Sequence, residues 1–205
     1  EIEKFYQEGD LQSALNIAQE AVSLAETAFG LASLETISSL LLQAQIHTEL
    51  DQLEEANQIY QTALETTVSS FGESDASTLS VLDSYGQFLN SIDPEMAEPI
   101  LSEALRLSDI EDPQRASRMK SLGQNFQELG RISEAEEMLN KALRAFKNLV
   151  GEKDAETLSA MAVLAQVNMS QGKLNPAQEL FETALPLMLE VLGEKNLLTL
   201  ESKES

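Results

Sequence analysis

Residues 119–157 read MKSLGQNFQELGRISEAEEMLNKALRAFKNLVGEKDAET, and this stretch decides the fold. It reads as two amphipathic helices joined by a tight turn at Gly130 and closed at Gly151. Leu122, Gly123, Phe126, Ala135, Leu139 and Ala142 fall at helical offsets that place them on the inner faces of the pair. A helical pair with one apolar face cannot bury that face alone. It needs neighbours of the same kind on either side.

The rest of the chain supplies them. The pattern Ala-x6-Ala occurs at Ala14/Ala21, Ala56/Ala63, Ala97/Ala104, Ala135/Ala142 and Ala177/Ala184, with first alanines 42, 41, 38 and 42 residues apart. Residues seven apart share a helical face, and Ala there lets a second helix approach closely. A second ladder is Gly30, Gly72, Gly151 and Gly193, each followed six residues later by Thr36, Thr78, Thr157 and Thr199. Gly past a helix end takes the left-handed conformation that closes the last turn. Three residues after each Gly stands an N-cap type, Ser33, Asp75, Asp154 or Asn196. In the third interval Asp112-Pro113 replaces the Gly and starts the helix instead. Asp93-Pro94 and Asn175-Pro176 fit the same rule, and Ser133 with Glu136 and Asp51 with Glu54 read as capping boxes.

This spacing predicts first helices over 34–50, 76–91, 113–129 and 155–171, and second helices over 11–28, 52–70, 94–108, 134–150 and 176–192. The organisation is one continuous array: a half repeat 1–30, repeats 31–72, 73–111, 112–151 and 152–193, and a stub 194–205 that opens another first helix at Asn196. Pro99 falls inside a second helix, where it costs about 3 kcal/mol or kinks the helix.

These marks resemble the tetratricopeptide repeat. The match is closest over 119–142 and nearly as good at Leu164-Ala165, Gly172, Ala177, Phe181 and Ala184; Ala44, Ala56, Tyr60 and Ala63, then Phe88, Ala97, Leu101 and Ala104, follow it more loosely. The period near 42 and the Gly-x5-Thr return look like the kinesin-light-chain type. The resemblance implies an all-α fold, a right-handed α–α superhelix, that binds proteins. It also shows departures. That type carries His-Pro-Asp before the Thr, where this chain has Ser33-Leu34-Glu35, Asp75-Ala76-Ser77, Asp154-Ala155-Glu156 and Asn196-Leu197-Leu198. It often has paired Asn residues that grip peptide backbone. Here those places hold Leu41-Leu42, Leu82-Asp83, Lys120-Ser121 and Ala162-Val163.

Composition narrows the function. There is no Cys, so disulfides and thiolate metal sites are excluded. No catalytic set emerges, and no cofactor or metal is expected. The single His47 occupies the aromatic place of a first helix and reads as a packed structural side chain. Asn168-Met-Ser is a formal glycosylation sequon that falls mid-helix and reads as chance. Apolar runs are far shorter than the ~20 residues of a membrane span, so no membrane association is expected. Residues 1–9 lack the basic start and apolar core of a leader. The chain begins partway through a repeat, so its native ends and any targeting signal on them are read as missing, and the compartment is expected to be the cytoplasm.

Net charge is −22, with 22 acidic and two basic residues before Arg115 against 13 and 11 after Gln114. That sign opposes nucleic-acid binding and complements a basic partner; it also serves the solubility of an extended array.

The resemblance turns the first-helix face toward a concave groove. Its candidates are Ser38, Leu41, Leu42 and Gln45; Leu79, Leu82, Asp83 and Gly86; Lys120, Ser121, Gln124 and Gln127; and Ala162, Val163 and Gln166. Gln recurs at one place in three of the four repeats, as Gln45, Gln124 and Gln166. Its amide both donates to and accepts from an extended backbone. The function read from this is a scaffold or adaptor that binds an extended, basic peptide or protein segment in the groove. The alternatives are a ligand-sensing array within a larger signalling protein or enzyme, and a spacer that self-associates through its open ends.

Overall fold

The computed structural model describes residues 2–194 together with Asn196, Thr199 and Ser202. Among these residues ten helices and no strand are found: α1 (Ile2–Glu8), α2 (Leu11–Phe29), α3 (Leu34–Glu49), α4 (Leu53–Phe71), α5 (Ala76–Ile92), α6 (Pro94–Leu107), α7 (Arg115–Glu128), α8 (Ile132–Leu149), α9 (Ala155–Ser170) and α10 (Leu174–Val191). The fold is the expected all-α solenoid of helical hairpins. The further first helix expected from Asn196 lies outside the described residues, of which Thr199 is fully buried.

The chain divides into two compact units, Glu1–Ser108 with α1–α6 and Asp109–Ser205 with α7–α10. The division falls just before Asp112-Pro113, the one interval that lacks the Gly-x5-Thr return. In the first unit each helix packs on the next, and the first helices α3 and α5 also touch. In the second, each helix again packs on the next and α7 touches α9. The alanine ladder lies in these seams. Ala14, Ala56, Ala63, Ala97, Ala104, Ala135, Ala142 and Ala184 are fully buried and Ala177 nearly so; Ala21 alone is half-buried. Gly123 and Gly86 extend the same logic. A Cβ on Gly123 would stand 2.7 Å from Leu139 Cγ, and one on Gly86 2.5 Å from Leu101 Cδ2.

Two kinds of turn alternate. Inside a hairpin the first helix ends in a Schellman motif, except at the single-residue turn between α5 and α6. Gly130 N–H donates to the Gln127 carbonyl at 3.0 Å and Arg131 N–H to the Phe126 carbonyl at 2.8 Å. The same pair of bonds recurs about Gly9, Asp51 and Gly172. Asp51 holds this place with φ 59°, the one non-glycine at positive φ among the described residues.

The return between hairpins differs. Gly30 and Gly72 sit at φ 89°, ψ 162° and φ 93°, ψ 167°. That is not the expected left-handed helical cap but an extended, positive-φ region essentially reserved to glycine. The Thr six residues on explains the ladder. Thr36, Thr78 and Thr157 are fully buried, and their hydroxyls donate to the carbonyls of Gly30, Gly72 and Gly151 at 2.8, 2.8 and 2.7 Å. Each bond stabilises its return by about 1 kcal/mol. Where the Gly is missing, Arg118 donates to the Asp112 carboxylate across the same six-residue interval. An ion pair thus replaces the hydroxyl staple.

Ser33, Asp75 and Asp154 cap α3, α5 and α9 as expected, and Asp93 caps α6 with Pro94 at its start. The other expected caps are corrected. The helix after Asp112-Pro113 begins at Arg115, because the Asp112 carboxylate turns the chain by accepting from Gln114 N–H at 2.8 Å. Pro176 lies two residues inside α10. Ser133 and Asp51 do not form capping boxes: α8 begins earlier, after Arg131, and α4 one residue later, after Gln52, each without a side-chain cap. Glu136 instead takes Lys173 Nζ at 2.6 and 2.7 Å and Gln171 Nε2 at 3.1 Å, tying α8 to the turn before α10. These contacts, that with Lys173 first, hold its carboxyl below its ordinary range against burial. α6 runs unbroken through Pro99 from Pro94 to Leu107.

Candidate functional site

A groove of about 570 Å³ opens on the first-helix face of the first unit. Ser38, Leu41, Leu42, Gln45, Thr48 and Glu49 of α3 form one side. Ser84, Gln87, Phe88 and Ser91 of α5 form the other, with Tyr60 of α4 at the floor. The aromatic floor is braced from behind. Tyr60 lies 5.5 Å from Tyr85 and 5.1 Å from Phe88 between ring centroids, and Tyr85 Oη donates to Asn57 Oδ1 at 2.8 Å. Burial pushes the Tyr60 phenol up, so it stays neutral.

The α3 candidates Ser38, Leu41, Leu42 and Gln45 all line this groove. The α5 candidates are one residue out of register. Leu79 and Leu82 are each 4% exposed and pack on Ala104, and Gly86 is closed against Leu101; only Asp83, half-buried, stays near the surface. The slip has a physical cause. The turn between α5 and α6 is a single residue, Asp93, which both ends one helix and caps the next. The other hairpins spend two residues or more there, so the alanine ladder shortens to 41 while the first helices keep a spacing of 42. Counting from the turns, the equivalents of Leu42, Gln45 and Glu49 are Ser84, Gln87 and Ser91. Gln therefore stands at this place in the first helices of all four full repeats, as Gln45, Gln87, Gln124 and Gln166.

In the second unit the corresponding face is more closed. Ala162 and Val163 are buried, at 2% and 9% exposure. Lys120 reaches from α7 to α9, where its Nζ meets Glu156 Oε2 at 2.6 Å and Ser159 Oγ at 3.3 Å. Ser121, Gln124, Gln127 and Gln166 remain half-buried.

His47 is a packing residue. It is 7% exposed, with Nδ1 2.6 Å from Gln52 Oε1 and Nε2 3.4 Å from Gln43 Nε2, so both ring nitrogens have partners. Asn168 is 5% exposed, which closes the sequon to modification in the folded chain. Among the described residues no group of three or more His, Asp or Glu side chains is gathered to hold a metal ion. No helix there is long and apolar enough to cross a membrane.

The charge asymmetry follows the units. Glu1–Ser108 carries 19 acidic and two basic residues. Both bases pair along their own helices, Lys4 with Glu8 at 3.9 Å and Arg106 with Glu103 at 2.5 Å. Glu49, at one end of the groove, has no basic partner among the described residues. Beside it the Tyr6 phenol is pushed up to about 12, first by burial and then by the Glu49 carboxylate.

Residues 117–190 match the family model of the tetratricopeptide repeat. The resemblance read from the spacing holds, and the matched segment covers the two hairpins that keep the marks best. No curated protein matches the chain. Solved structures with similar folds include kinesin-light-chain-like tetratricopeptide-type repeats of Podosopora anserina, 16% identical with a TM-score of 0.75 over 93% of this chain and 92% of that one. BtubC of P. vanneervenii is 20% identical with a TM-score of 0.76 over 94% and 78%. A Rap protein complexed with competence and sporulation factor is 16% identical with a TM-score of 0.75; it covers 99% of this chain, which spans 61% of that protein. At these identities the likeness is one of fold.

The helical-hairpin geometry accounts for which site residues the sequence reading reached. Those on α3 follow directly from its register. Ser84, Gln87, Phe88 and Ser91 of α5 needed the turn at Asp93 as the reference point, while Thr48 and Glu49 extend the α3 face to the helix end and Tyr60 enters from α4.

Proposed function

We propose that the chain is a protein-interaction module whose α3/α5 groove holds an extended, basic segment of a partner protein. The observation that carries this reading is the pair Gln45 and Gln87, at equivalent places on adjoining first helices, on either side of a groove lined by Leu41, Leu42 and Phe88 with Tyr60 at its floor. A carboxamide satisfies one N–H and one C=O of an extended backbone. Packed helices lie about 8–10 Å apart and an extended chain rises about 3.3 Å per residue, so successive Gln side chains meet peptide residues about three apart. Gln124 and Gln166 offer the same group in the second unit. The acidic excess of the first unit selects basic segments and speeds their encounter. The Rap protein solved with its factor supports a second version of the reading, in which the array senses a ligand on behalf of a longer protein.

The test is to select binders from a random linear-peptide display library against the whole chain, then measure them on Leu41→Ser and Gln87→Ala variants. Basic, extended peptides that lose affinity on both variants support the proposal. Selected peptides indifferent to both variants refute the groove. Mass that rises with concentration in light scattering, with no peptide selected, favours self-association instead.

A further inference from the structure

Within that groove, and resting on the groove reading, we infer that Glu49 with Leu42 and the rim of Phe88 forms a subsite for one arginine or lysine side chain of the bound segment. Glu49 and Leu42 lie seven residues apart on α3, hence on one face, and both line the groove with Phe88 opposite. The Glu49 carboxylate is exposed. Its Oε1 accepts from the Gln45 amide at 3.4 Å, a long and weak bond, and the neutral Tyr6 phenol of α1 stands beside it. The other ionisable group at the groove surface is the buried phenol of Tyr60. A basic side chain is amphipathic. Its methylene stem covers apolar surface while its charged end reaches water or a carboxylate. Leu42 is half-buried and Phe88 shows only its rim, which suits a stem rather than a stacked ring. Position matters as much as charge. The equivalent of Glu49 on α5 is Ser91, so the carboxylate occurs at one end of the groove alone and fixes the direction and register of the peptide. The surrounding field has the matching sign, with 19 acidic and two basic residues in this unit.

The experiment uses the display-selected peptides as probes and a double-mutant cycle. Each Arg or Lys of a selected peptide is replaced in turn by citrulline or norleucine, and affinity is measured on the wild-type chain and on Glu49→Gln. Glu49 is exposed, so the variant folds; its helical spectrum and unfolding midpoint verify this. One peptide position is expected to lose about tenfold on the wild-type chain and less than about twofold on Glu49→Gln, the coupling of a close charge pair. If every basic residue contributes equally on both chains while Leu41→Ser still abolishes binding, the subsite is wrong and the groove stands. If Leu41→Ser also leaves binding unchanged, both fall. Selected peptides with no basic residue at a fixed place overturn the subsite directly.

Discussion

Replacing Gly72 by alanine tests the return turn that sets the repeat. Gly72 has φ 93° and ψ 167°, and a Cβ built on it meets nothing within 4 Å. The cost is therefore conformational, with no packing share. An L-residue in a sparsely populated region costs about 1–3 kcal/mol. Alanine recovers about 0.4–1 kcal/mol by restricting the unfolded chain. The expected net loss is centred on about 1.3 kcal/mol, or roughly 3–5 °C in Tm at about 2–4 °C per kcal/mol. Gly72→Asn separates this turn from a left-handed cap. Asn tolerates the left-handed region, where ψ is near about 47°, and gains nothing at ψ 167°. Urea unfolding followed by far-UV circular dichroism gives the loss. Hydrogen exchange locates it at the end of α4 and the start of α5, where Thr78 holds the Gly72 carbonyl at 2.8 Å. A Gly72→Asn chain as stable as wild type would refute the reasoning, as would a Gly72→Ala chain that loses nothing.

Asp51, at φ 59° where three other hairpins have Gly, predicts the opposite sign: Asp51→Gly should raise stability by up to about 1 kcal/mol in the same urea assay. Asp112→Asn should cost about 1.5–3 kcal/mol at neutral pH, the scale of a hydrogen bond to a charged group, since the buried Arg118 leans on that carboxylate. Burial alone would raise the Asp112 carboxyl, but the Gln114 N–H and the Arg118 guanidinium outweigh it and hold it below its ordinary value. Its stabilisation is thus present above the unfolded pKa of about 3.9 and fades as pH falls through the lower folded value. Unfolding curves of wild type and Asp112→Asn should converge only below about pH 4. Ala135→Leu should overpack the α7/α8 seam at a cost of about 1–3 kcal/mol, with faster hydrogen exchange concentrated over residues 119–150.

The hairpins were legible because their marks are local. A Schellman turn, an N-cap and a pair of alanines seven apart each leave a fixed offset in sequence. The Gly-x5-Thr ladder was visible as spacing, but its cause, a buried hydroxyl donating to a carbonyl six residues back, is a three-dimensional fact. The Arg118–Asp112 pair hid for the same reason, because neither residue type matches Gly or Thr. Ser133 and Asp51 misled because a capping box is a pattern of types, while the backbone chose starts at Ile132 and Leu53. On α3 the four expected residues, Ser38, Leu41, Leu42 and Gln45, all line the groove. On α5 the alanine ladder carried a one-residue error from the short turn at Asp93. In a helix one residue is 100°, enough to exchange the expected Asp83 and the buried Gly86 for the groove-lining Ser84 and Gln87. Lys120 could not be placed from sequence, since its partner Glu156 lies 36 residues away.

The central claim, that an extended segment lies in the α3/α5 groove, is tested most directly by a single introduced thiol, because the chain has no Cys. Ser38 is exposed and lines the groove, and Thr62 is exposed on α4 outside the groove lining. A selected peptide carrying a chloroacetamide group is incubated with Ser38→Cys and with Thr62→Cys, and the adduct is followed by intact mass. The account predicts rapid adduct with Ser38→Cys, suppressed by excess unmodified peptide, and only background reaction with Thr62→Cys. Equal reaction at both sites, or faster reaction at Thr62→Cys, would contradict it.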